Sequence, residues 1–346
     1  MLAAVTSGTG EIAVVERDGA PSPGPGEVVV VPEAVGICGS DYHFFLGELS
    51  DAAGGSQFPR VQGHEVGGTI AAVGPACRPE LAIGQRVAIW PLQACGSCYP
   101  CRAGRPSTCD NFHLIGIHDD GGLQQQLLTG QDQVFAIEVD RPAVAALVEP
   151  LSIAVRAVNR ARLQPGEHAV ILGAGPIGQC ISLAAQERGA EVLVVDLQLS
   201  RLELARELGA AQTAAFTDTA EVVAAARRFA GPDGPPVAFD ATGAPAAVHA
   251  MVELVASAGR AVQVGMSNAE VSIRIGLLTE KELDLLGVSC CERDEFAEAV
   301  ALAERRAPAL ERLVSHEFPL AQAPEALRFA IDNPTQVMKV VILPDR

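Results

Sequence analysis

Hydrophobic residues in the first part of the chain come in short runs that glycine and proline interrupt. The segments GEVVVVPEAVGI, VGGTIAAVG and QRVAIW are rich in valine and isoleucine, and the turn segment PSPGPGE, residues 21–27, leads into the first of them. Short runs of β-branched residues between turn residues are typical of strands. The first part of the chain is therefore predicted to form a compact, β-rich, barrel-like module.

From about Leu151 the pattern changes to an alternation of apolar strands and helices. EHAVILGAGPIGQCISLAAQERGA predicts a strand, a glycine turn and an alanine-rich helix; EVLVVDLQLSRLELARELGA repeats strand and helix, and PVAFDATG and RAVQVGM add two strands. Such alternation predicts an α/β fold with a doubly wound parallel sheet. After LDLLGVSCC come two helices, FAEAVALAERR and APEALRFAI, and a final strand, VMKVVILP. The α/β domain is therefore predicted to be inserted before the end of the chain.

The length and the charge of the chain narrow the possible functions. A chain of 346 residues, 49% of them hydrophobic, is expected to form about two domains. The formal net charge of -17 works against binding to nucleic acid or to an anionic membrane. The N-terminus has no basic segment followed by an apolar run, and no segment approaches the roughly 20 uncharged apolar residues of a membrane span. We expect a soluble, cytoplasmic protein.

Four of the 9 cysteines lie within the segment CGSCYPCRAGRPSTC, as Cys95, Cys98, Cys101 and Cys109. Glycine and proline between them favour a tight loop over a helix or a strand. In a reducing compartment, cysteines at this spacing are more often metal ligands than cross-links or free thiols. The segment therefore predicts a closed four-thiolate zinc site, which stabilises a loop and leaves no position for a substrate. An iron-sulfur cluster uses similar ligands and is the alternative.

The segment GAGPIG, residues 173–178, follows the apolar strand AVIL and opens a helix. Asp196 ends the next strand, eighteen positions after the third glycine. This order of strand, glycine turn, helix and acid is typical of a dinucleotide-binding site. Leu197 and Gln198 supply no cation for a 2'-phosphate, so NAD is favoured over NADP. Arg201 either lies toward the adenosine or faces solvent.

A second group of candidate metal ligands comes from three separate segments. Cys38 lies in GICGSDYH, His64 and Glu65 lie in GHE, and Glu149 lies in LVEPL. One cysteine, one histidine and a carboxylate would bind zinc and leave one position open, as a catalytic site requires. Together with the NAD motif, this predicts hydride transfer from an alcohol carbon whose oxygen lies on zinc, where the alcohol's pKa is lowered.

These motifs occur together, and in the same order, in one known family. With GICGSD, GHE, the four-cysteine segment, GIHDDGG, LVEPLSIA, GAGPIG, VVD and KELDLLG, the chain resembles the zinc-dependent medium-chain alcohol dehydrogenases. It is most similar to their polyol and sugar-acid branch, which includes sorbitol, threonine, butanediol and hexonate dehydrogenases. The resemblance implies a GroES-like zinc domain, residues 1–150 plus 290–346, and an inserted Rossmann NAD-binding domain, residues 151–289. It also implies a small alcohol or polyol substrate and a homodimer or homotetramer.

The resemblance also assigns roles to individual residues. Cys38, His64 and Glu65 correspond to ligands of the catalytic zinc, and Glu149 stands where ethanol-type enzymes have a cysteine ligand, so either glutamate is a candidate. Ser40 corresponds to the hydroxyl that passes the substrate proton toward His43 and solvent. The residues expected near the cofactor are Gly173, Gly175, Pro176, Ile177, Gly178, Asp196, Arg201, Thr242, Gly243, Val264, Gly265 and Met266. Those expected in the substrate pocket are Tyr42, Phe44, Phe45, Phe112, His113 and His118.

Two other functions fit part of this pattern. A zinc- and NAD-binding protein without turnover would keep the four cysteines and GAGPIG, but it would not need Cys38, His64, Glu149 and Ser40 together. A relative of the quinone reductases would lack both zinc sites. From the resemblance we therefore expect a dehydrogenase that transfers a hydride between NAD and a secondary alcohol of a polyol, a sugar acid or a cyclitol, while the sequence leaves the specific alcohol open.

Overall fold

The computed structural model describes residues 1–48, 57–216 and 218–345. The chain forms two compact units, one of Met1–Glu149 and Glu292–Arg346 and the other of Pro150–Cys291. The domain boundaries expected from the sequence, after residue 150 and before residue 290, differ from the boundaries of these units by one and two residues. Each unit has its own hydrophobic core.

The strands and helices of the described residues are numbered here in chain order. The strands are β1 Leu2–Gly8, β2 Glu11–Glu16, β3 Glu27–Gly36, β4 Arg60–Val61, β5 Glu65–Val73, β6 Arg86–Ile89, β7 Leu92–Gln93, β8 His113–Leu114, β9 Leu127–Gly130, β10 Val134–Ala136, β11 His168–Leu172, β12 Glu191–Asp196, β13 Gln212–Ala215, β14 Val237–Asp240, β15 Arg260–Gln263, β16 Asp284–Gly287, β17 Val314–Pro319 and β18 Lys339–Leu343. The helices are α1 Gly39–Phe45, α2 Tyr99–Arg102, α3 Pro142–Ala146, α4 Val148–Arg160, α5 Pro176–Glu187, α6 Leu199–Glu207, α7 Thr219–Ala230, α8 Pro245–Leu254, α9 Gly276–Glu280, α10 Arg293–Arg305, α11 Ala307–Glu311 and α12 Ala323–Asp332.

The first unit is built around a sheet with the strand order β10-β6-β5-β3-β18-β17, in which β9 also pairs with β3. A separate hairpin of β1 and β2 pairs with β4. The antiparallel ladder of β3 and β5 sets Gly36 opposite Glu65. Because Cys38 follows the end of β3 and His64 precedes β5, this register brings the two residues to the same edge of the sheet.

The GIHDDGG motif supports the segment that precedes β5. The backbone N–H groups of Gly121, Gly122 and Leu123 donate to the carbonyls of Val61, Gly63 and Gln62, respectively, at 2.7–3.0 Å. A Cβ at Gly121 would lie 2.4 Å from the carbonyl oxygen of Gly63, so the close approach of these two backbones requires glycine. The motif therefore fixes the path of the chain into His64.

The second unit contains a sheet with the order β13-β12-β11-β14-β15-β16, and all of its ladders are parallel. The central strand β11 is buried along most of its length, as expected for a parallel sheet covered on both faces. The prediction of a doubly wound parallel sheet beside a β-rich domain is confirmed. Ligands bind at the carboxyl ends of the strands in such sheets. The glycine turn follows the carboxyl end of β11, and Asp196 and Asp240 are the last residues of β12 and β14.

Among the described residues, one helical run, Pro142–Arg160, is long and apolar enough to cross a membrane by length and composition. Its most apolar window is 78% buried within the protein. A run buried to this extent has the character of a core helix.

Candidate functional site

The four cysteines of the predicted zinc loop lie close together. Their sulfur atoms are all within 4.8 Å of one another, and the Sγ of Cys98 lies 3.4 Å from that of Cys101 and 3.7 Å from that of Cys109. Zinc-sulfur bonds of ~2.3 Å set the sulfurs of a tetrahedral site about 3.8 Å apart. The observed distances therefore fit a four-thiolate zinc ion.

The local hydrogen bonds favour the thiolate form of Cys95, whereas burial and the neighbouring thiols raise the pKa of Cys101. Cys109 Sγ accepts hydrogen bonds from the N–H groups of Cys95 and Asn111, both at 3.3 Å. The backbone N–H and hydroxyl of Ser97 and the N–H of Cys98 lower the pKa of the Cys95 thiol to about 5. The segment is not purely a loop as the sequence predicted, because it contains the short helix α2 and a 3-10 turn at Pro106–Thr108.

The second group of candidate ligands consists of Cys38, His64 and Glu65. Their ligand atoms lie within 4.8 Å of one another, and His64 and Glu65 are buried. Cys38 precedes helix α1, and its N–H donates to Asp41 Oδ2 at 2.9 Å. A thiolate, an imidazole and a carboxylate within this distance suit zinc.

Asp41 is a buried carboxylate that the sequence reasoning did not select. Its Oδ1 lies 3.7 Å from Nδ1 of His64, which makes no hydrogen bond among the described residues. Burial raises the pKa of the Asp41 carboxyl, while His64 opposes that rise. A carboxylate behind the second nitrogen of a metal-binding histidine commonly orients the ring. The sequence signal that could have identified Asp41 is its position as the third residue of the helix that begins after Cys38, where an acidic side chain caps the helix N-terminus.

Glu65 is paired with Lys339, which the sequence reasoning also missed. Lys339 Nζ donates to the two carboxylate oxygens of Glu65 at 2.7 and 2.9 Å and to the carbonyl of Ile37 at 3.1 Å. Both side chains are buried, and a Cβ at Gly36 would lie 2.0 Å from Glu65 Oε2. Glycine at position 36 therefore lets this carboxylate reach its lysine. The signal was a single lysine in the otherwise apolar strand VMKVVILP.

Glu149 lies in the first turn of α4 and is half-buried. It is not part of the group formed by Cys38, His64 and Glu65. Burial raises the pKa of the Glu149 carboxyl to about 7, with His64 acting in the opposite direction and Glu65 adding to the rise. Its role as a zinc ligand remains a prediction.

Ser40 and His43 both lie on α1 but in different surroundings. Ser40 Oγ lies 3.4 Å from Nε2 of His64, so the hydroxyl stands beside a candidate ligand atom. The His43 side chain is 52% exposed, and its Nδ1 lies 3.4 Å from Oε2 of Glu48. Ser40 is therefore half-buried beside His64, whereas His43 faces solvent.

The glycine turn has the backbone features of a dinucleotide site. Gly173 has φ +101°, and a Cβ at Gly178 would lie 1.8 Å from the Gly173 carbonyl oxygen. Among the described residues, a Cβ at Gly175 would have only the Arg201 guanidinium within 4 Å, at 3.8 Å. Pro176 and Ile177 begin α5. The first and third glycines are thus required by the fold, whereas the second leaves room for a ligand.

Asp196 is tied to this turn. Its Oδ2 accepts from the N–H of Ala174 at 2.6 Å, and its Oδ1 accepts from the N–H of Gln198 at 2.8 Å. Each carboxylate oxygen can accept a second hydrogen bond, so Asp196 has acceptor capacity left for ribose hydroxyls. The turn and the acid therefore form one unit.

The other predicted cofactor residues are arranged around a buried acid, Asp240, that the sequence reasoning did not select. Its carboxylate accepts from the Thr242 hydroxyl at 2.6 Å, from the Gly243 N–H at 2.8 Å and from the Gln263 amide at 2.6 Å. Its carbonyl accepts from the N–H groups that follow β15. Asp240 thus joins the ends of β14 and β15, which carry Thr242, Val264, Gly265 and Met266.

Two of the residues predicted to line the substrate pocket lie in the hydrophobic interior instead. Phe44 is 0% exposed and packs edge-on against Phe58, and Phe45 is 3% exposed within the core of the first unit. They follow the helical period of α1 and face inward, which the sequence reasoning overlooked. Tyr42 is partly buried, and Phe112 and His118 contact each other edge to face. His113 pairs with Asp119 at 3.1 Å.

Comparison with known proteins places these features in one family. Residues 24–139 match the model of the alcohol dehydrogenase GroES-like domain, and residues 176–305 match that of the zinc-binding dehydrogenases. The chain is 35% identical to 2-dehydro-3-deoxy-L-galactonate 5-dehydrogenase of Pseudoalteromonas atlantica over 99% of this chain and 98% of the relative.

The solved structures that share the fold include two that match over 99% of both chains. A zinc-binding dehydrogenase of Sinorhizobium meliloti bound to NADP is 31% identical with a TM-score of 0.89. An alcohol dehydrogenase of Escherichia coli complexed with NADH is 28% identical with a TM-score of 0.88. Since the matches span both units, the chain belongs to the zinc-dependent medium-chain alcohol dehydrogenase family.

Proposed function

We propose that the protein oxidises a secondary alcohol of a sugar acid or a related polyol, with NAD as the hydride acceptor. The observation that carries this proposal is the group of Cys38, His64 and Glu65 beside the hydroxyl of Ser40. The substrate class is supported by the relative from Pseudoalteromonas, whose name specifies a sugar acid. The first unit would serve as the zinc domain and the second as the NAD domain.

The two candidate zinc sites differ in the number of protein ligands. Four thiolates at Cys95, Cys98, Cys101 and Cys109 fill a tetrahedral site, so this ion would hold the segment together. At the other site Cys38 and His64 would be permanent ligands. When bound there, zinc supplies a Lewis acid that makes the substrate hydroxyl more acidic.

The two glutamates are not equivalent candidates for the remaining ligand. Both oxygens of Glu65 already accept hydrogen bonds from Lys339, so Glu65 would have to give up part of this pairing to bind an ion. Glu149 is half-buried on another element. We propose that Glu149 is the zinc ligand that exchanges with substrate and water. The hydrogen bonds from Lys339 to Glu65 keep the Glu65 carboxylate from binding the ion.

The chain supplies a hydroxyl for the substrate proton. Ser40 Oγ would accept the proton from the substrate oxygen and pass its own toward His43, which is exposed and close to Glu48. When bound, NAD would supply the hydride acceptor, so the oxidation of the alcohol carbon to a carbonyl would be balanced by reduction of the cofactor.

The choice between NAD and NADP rests on this chain's own residues, because the two solved relatives hold different cofactors. The glycine turn would bind the pyrophosphate at the start of α5, with Arg201 close to Gly175. Asp196 would accept from ribose hydroxyls and repel a 2'-phosphate. The following residues Leu197 and Gln198 are uncharged, which favours NAD.

We also propose that the enzyme is a homodimer or a homotetramer. The outer strand β16 of the second unit is largely exposed and includes Leu285, which is 43% exposed. An exposed strand of this kind at a sheet edge is suited to pairing with a second copy. Light scattering of the purified protein tests this point, and a monomer at micromolar concentration would contradict it.

The proposed activity is tested by measuring NADH formation with a panel of sugar acids, polyols, cyclitols and simple alcohols. We expect turnover with at least one sugar acid or polyol and no turnover in Cys38→Ala with the same compound. The matched control is Cys77→Ala, since Cys77 lies outside both cysteine groups. If wild type shows no turnover with any member of the panel, or if Cys38→Ala remains fully active, the proposal is wrong.

A further inference from the structure

A row of buried polar side chains connects strand β1 with the zinc site proposed at Cys38 and His64. This site is called the open site below, because it has fewer protein ligands than the four-cysteine site. Thr6, Gln62 and Asp41 are each 0% exposed, and His64 is 3% exposed. Burying polar groups is costly unless they hydrogen-bond to one another. Neither Thr6 nor Gln62 takes part in the proposed chemistry, so their arrangement needs its own explanation.

The hydrogen bond from Thr6 determines how the Gln62 amide is oriented. The Thr6 hydroxyl donates to Oε1 of Gln62 at 2.6 Å. The NH2 group of Gln62 therefore points the other way, where Nε2 donates to the Asp41 carbonyl at 2.9 Å and lies 3.5 Å from Asp41 Oδ1. Thr6 thus fixes the end of Gln62 that faces Asp41.

Asp41 in turn contacts both segments that carry the candidate ligands. Its Oδ2 accepts from the N–H of Cys38 at 2.9 Å, and its Oδ1 accepts from the N–H of Gly63 at 3.3 Å. The same Oδ1 lies 3.7 Å from Nδ1 of His64. A single carboxylate therefore sets the spacing between the turn of Cys38 and the segment of His64.

We propose that Thr6 and Gln62 are positioning residues for the zinc site. They hold Asp41 so that Cys38 and His64 stand at the separation the metal requires before it binds, which lowers the free energy needed to assemble the site. The inference rests on the proposed function, because it assumes zinc at Cys38 and His64. The inference states that Thr6 and Gln62 increase the affinity of the site for zinc, in addition to stabilising the fold.

The chain contains a second buried threonine–glutamine pair that serves as a matched control. Thr129 Oγ1 donates to Gln133 Oε1 at 2.7 Å, and these residues are 5% and 4% exposed. Gln133 bonds to Gln93 and lies near the carbonyl of Pro91, and no hydrogen bond of its side chain described here goes to Asp41, Cys38 or His64. Thr6→Val and Thr129→Val remove the same kind of hydrogen bond from the same unit.

The experiment measures zinc in the holoenzyme with a chelating dye, together with the visible spectrum after replacement of the open-site ion by Co2+. Loss of groups that orient metal ligands typically costs 10- to 100-fold in affinity. We expect Gln62→Leu to weaken zinc binding at the open site about tenfold and Thr6→Val to weaken it several-fold. Thr6→Ser and Thr129→Val should bind zinc as wild type does, and the four-cysteine ion should stay bound throughout.

The outcomes separate this inference from the proposed function. If wild type holds zinc at the site of Cys38 and His64, but Gln62→Leu and Thr6→Val bind it as tightly as Thr129→Val does, the inference is overturned and the proposed function stands. If wild type holds no zinc at Cys38 and His64, both are wrong. Should Gln62→Leu fail to fold, the comparison of Thr6→Val, Thr6→Ser and Thr129→Val decides the question, since all three keep Gln62.

Discussion

At the scale of single residues, the two lysines of the chain have unusual surroundings. All other basic residues except histidine are arginines, and only Lys281 and Lys339 are lysines. Lys339 lies in the buried strand β18 and binds both oxygens of Glu65. Removing one partner of a buried ion pair leaves an uncompensated charge, which is more harmful than removing both.

We predict that Lys339→Met lowers the free energy of unfolding by about 3 to 5 kcal/mol. Glu65→Gln together with Lys339→Met should cost clearly less than the sum of the two single changes, because the double variant leaves neither member of this pair as an unpaired buried charge. Urea unfolding of the four proteins in the double-mutant cycle measures this coupling. Additive losses would show that the pair contributes nothing beyond its separate side chains.

Two substitutions of Asp196 together test the choice of cofactor more sharply than Asp196→Ala alone. Asp196→Asn keeps an oxygen that can accept from the Ala174 N–H but removes the charge, whereas Asp196→Ala removes both. We expect both variants to raise the KM for NAD roughly tenfold or more and to reduce the ratio of kcat/KM with NAD to kcat/KM with NADP. Asp196→Ala should lower the melting temperature more than Asp196→Asn, because asparagine still accepts from one of the two N–H groups of Ala174 and Gln198. Better turnover of wild type with NADP than with NAD would refute the assignment.

At the scale of secondary-structure elements, Lys281 completes the end of helix α8. Its Nζ donates to the carbonyls of Val252, Glu253 and Val255 at 2.7–3.2 Å. The last carbonyls of a helix have no partner within the helix, and a cation there also interacts favourably with the helix dipole. The lysine of the KELDLLG motif is thus explained by helix capping.

We predict that Lys281→Met destabilises the protein by about 1 to 3 kcal/mol without changing zinc content or KM for NAD. Hydrogen bonds of a charged donor are lost, and three carbonyl oxygens lose a partner. Thermal unfolding of the variant, with Lys281→Arg as the conservative control, measures the effect. An unchanged melting temperature in Lys281→Met would mean that water replaces the lysine at no cost.

The elements themselves were predictable where a local pattern was strong. The strand of GEVVVVPEAVGI, the glycine turn and the helix after it all follow from residues close together in the chain. The hairpin of β1 and β2 was not predicted, and the short helix within the cysteine segment was missed. Phe44 and Phe45 were assigned to the substrate pocket by resemblance to the family, although both are buried on α1.

At the scale of the whole molecule, the sequence indicated the family and the chemistry but not the connections behind the ligands. Glu65 and Lys339 are separated by 274 positions, and Thr6 and Gln62 by 56. No local pattern pairs such residues, because the pairing arises only when β18 adds to the sheet beside β3 and when β4 pairs with β1. What could have been inferred is that a charged or amide side chain in an apolar segment needs a buried partner.

The central claim is that one chain holds two zinc ions, of which only the one at Cys38 and His64 supports hydride transfer. The most direct measurement is zinc content and NADH formation in wild type and Cys38→Ala, before and after brief exposure to a chelator. We expect wild type to hold two zinc ions per chain and to lose one of them together with its activity. Cys38→Ala should hold one zinc ion, bind NADH as wild type does and show no turnover. Iron with labile sulfide in wild type, or full turnover in Cys38→Ala, would contradict the account.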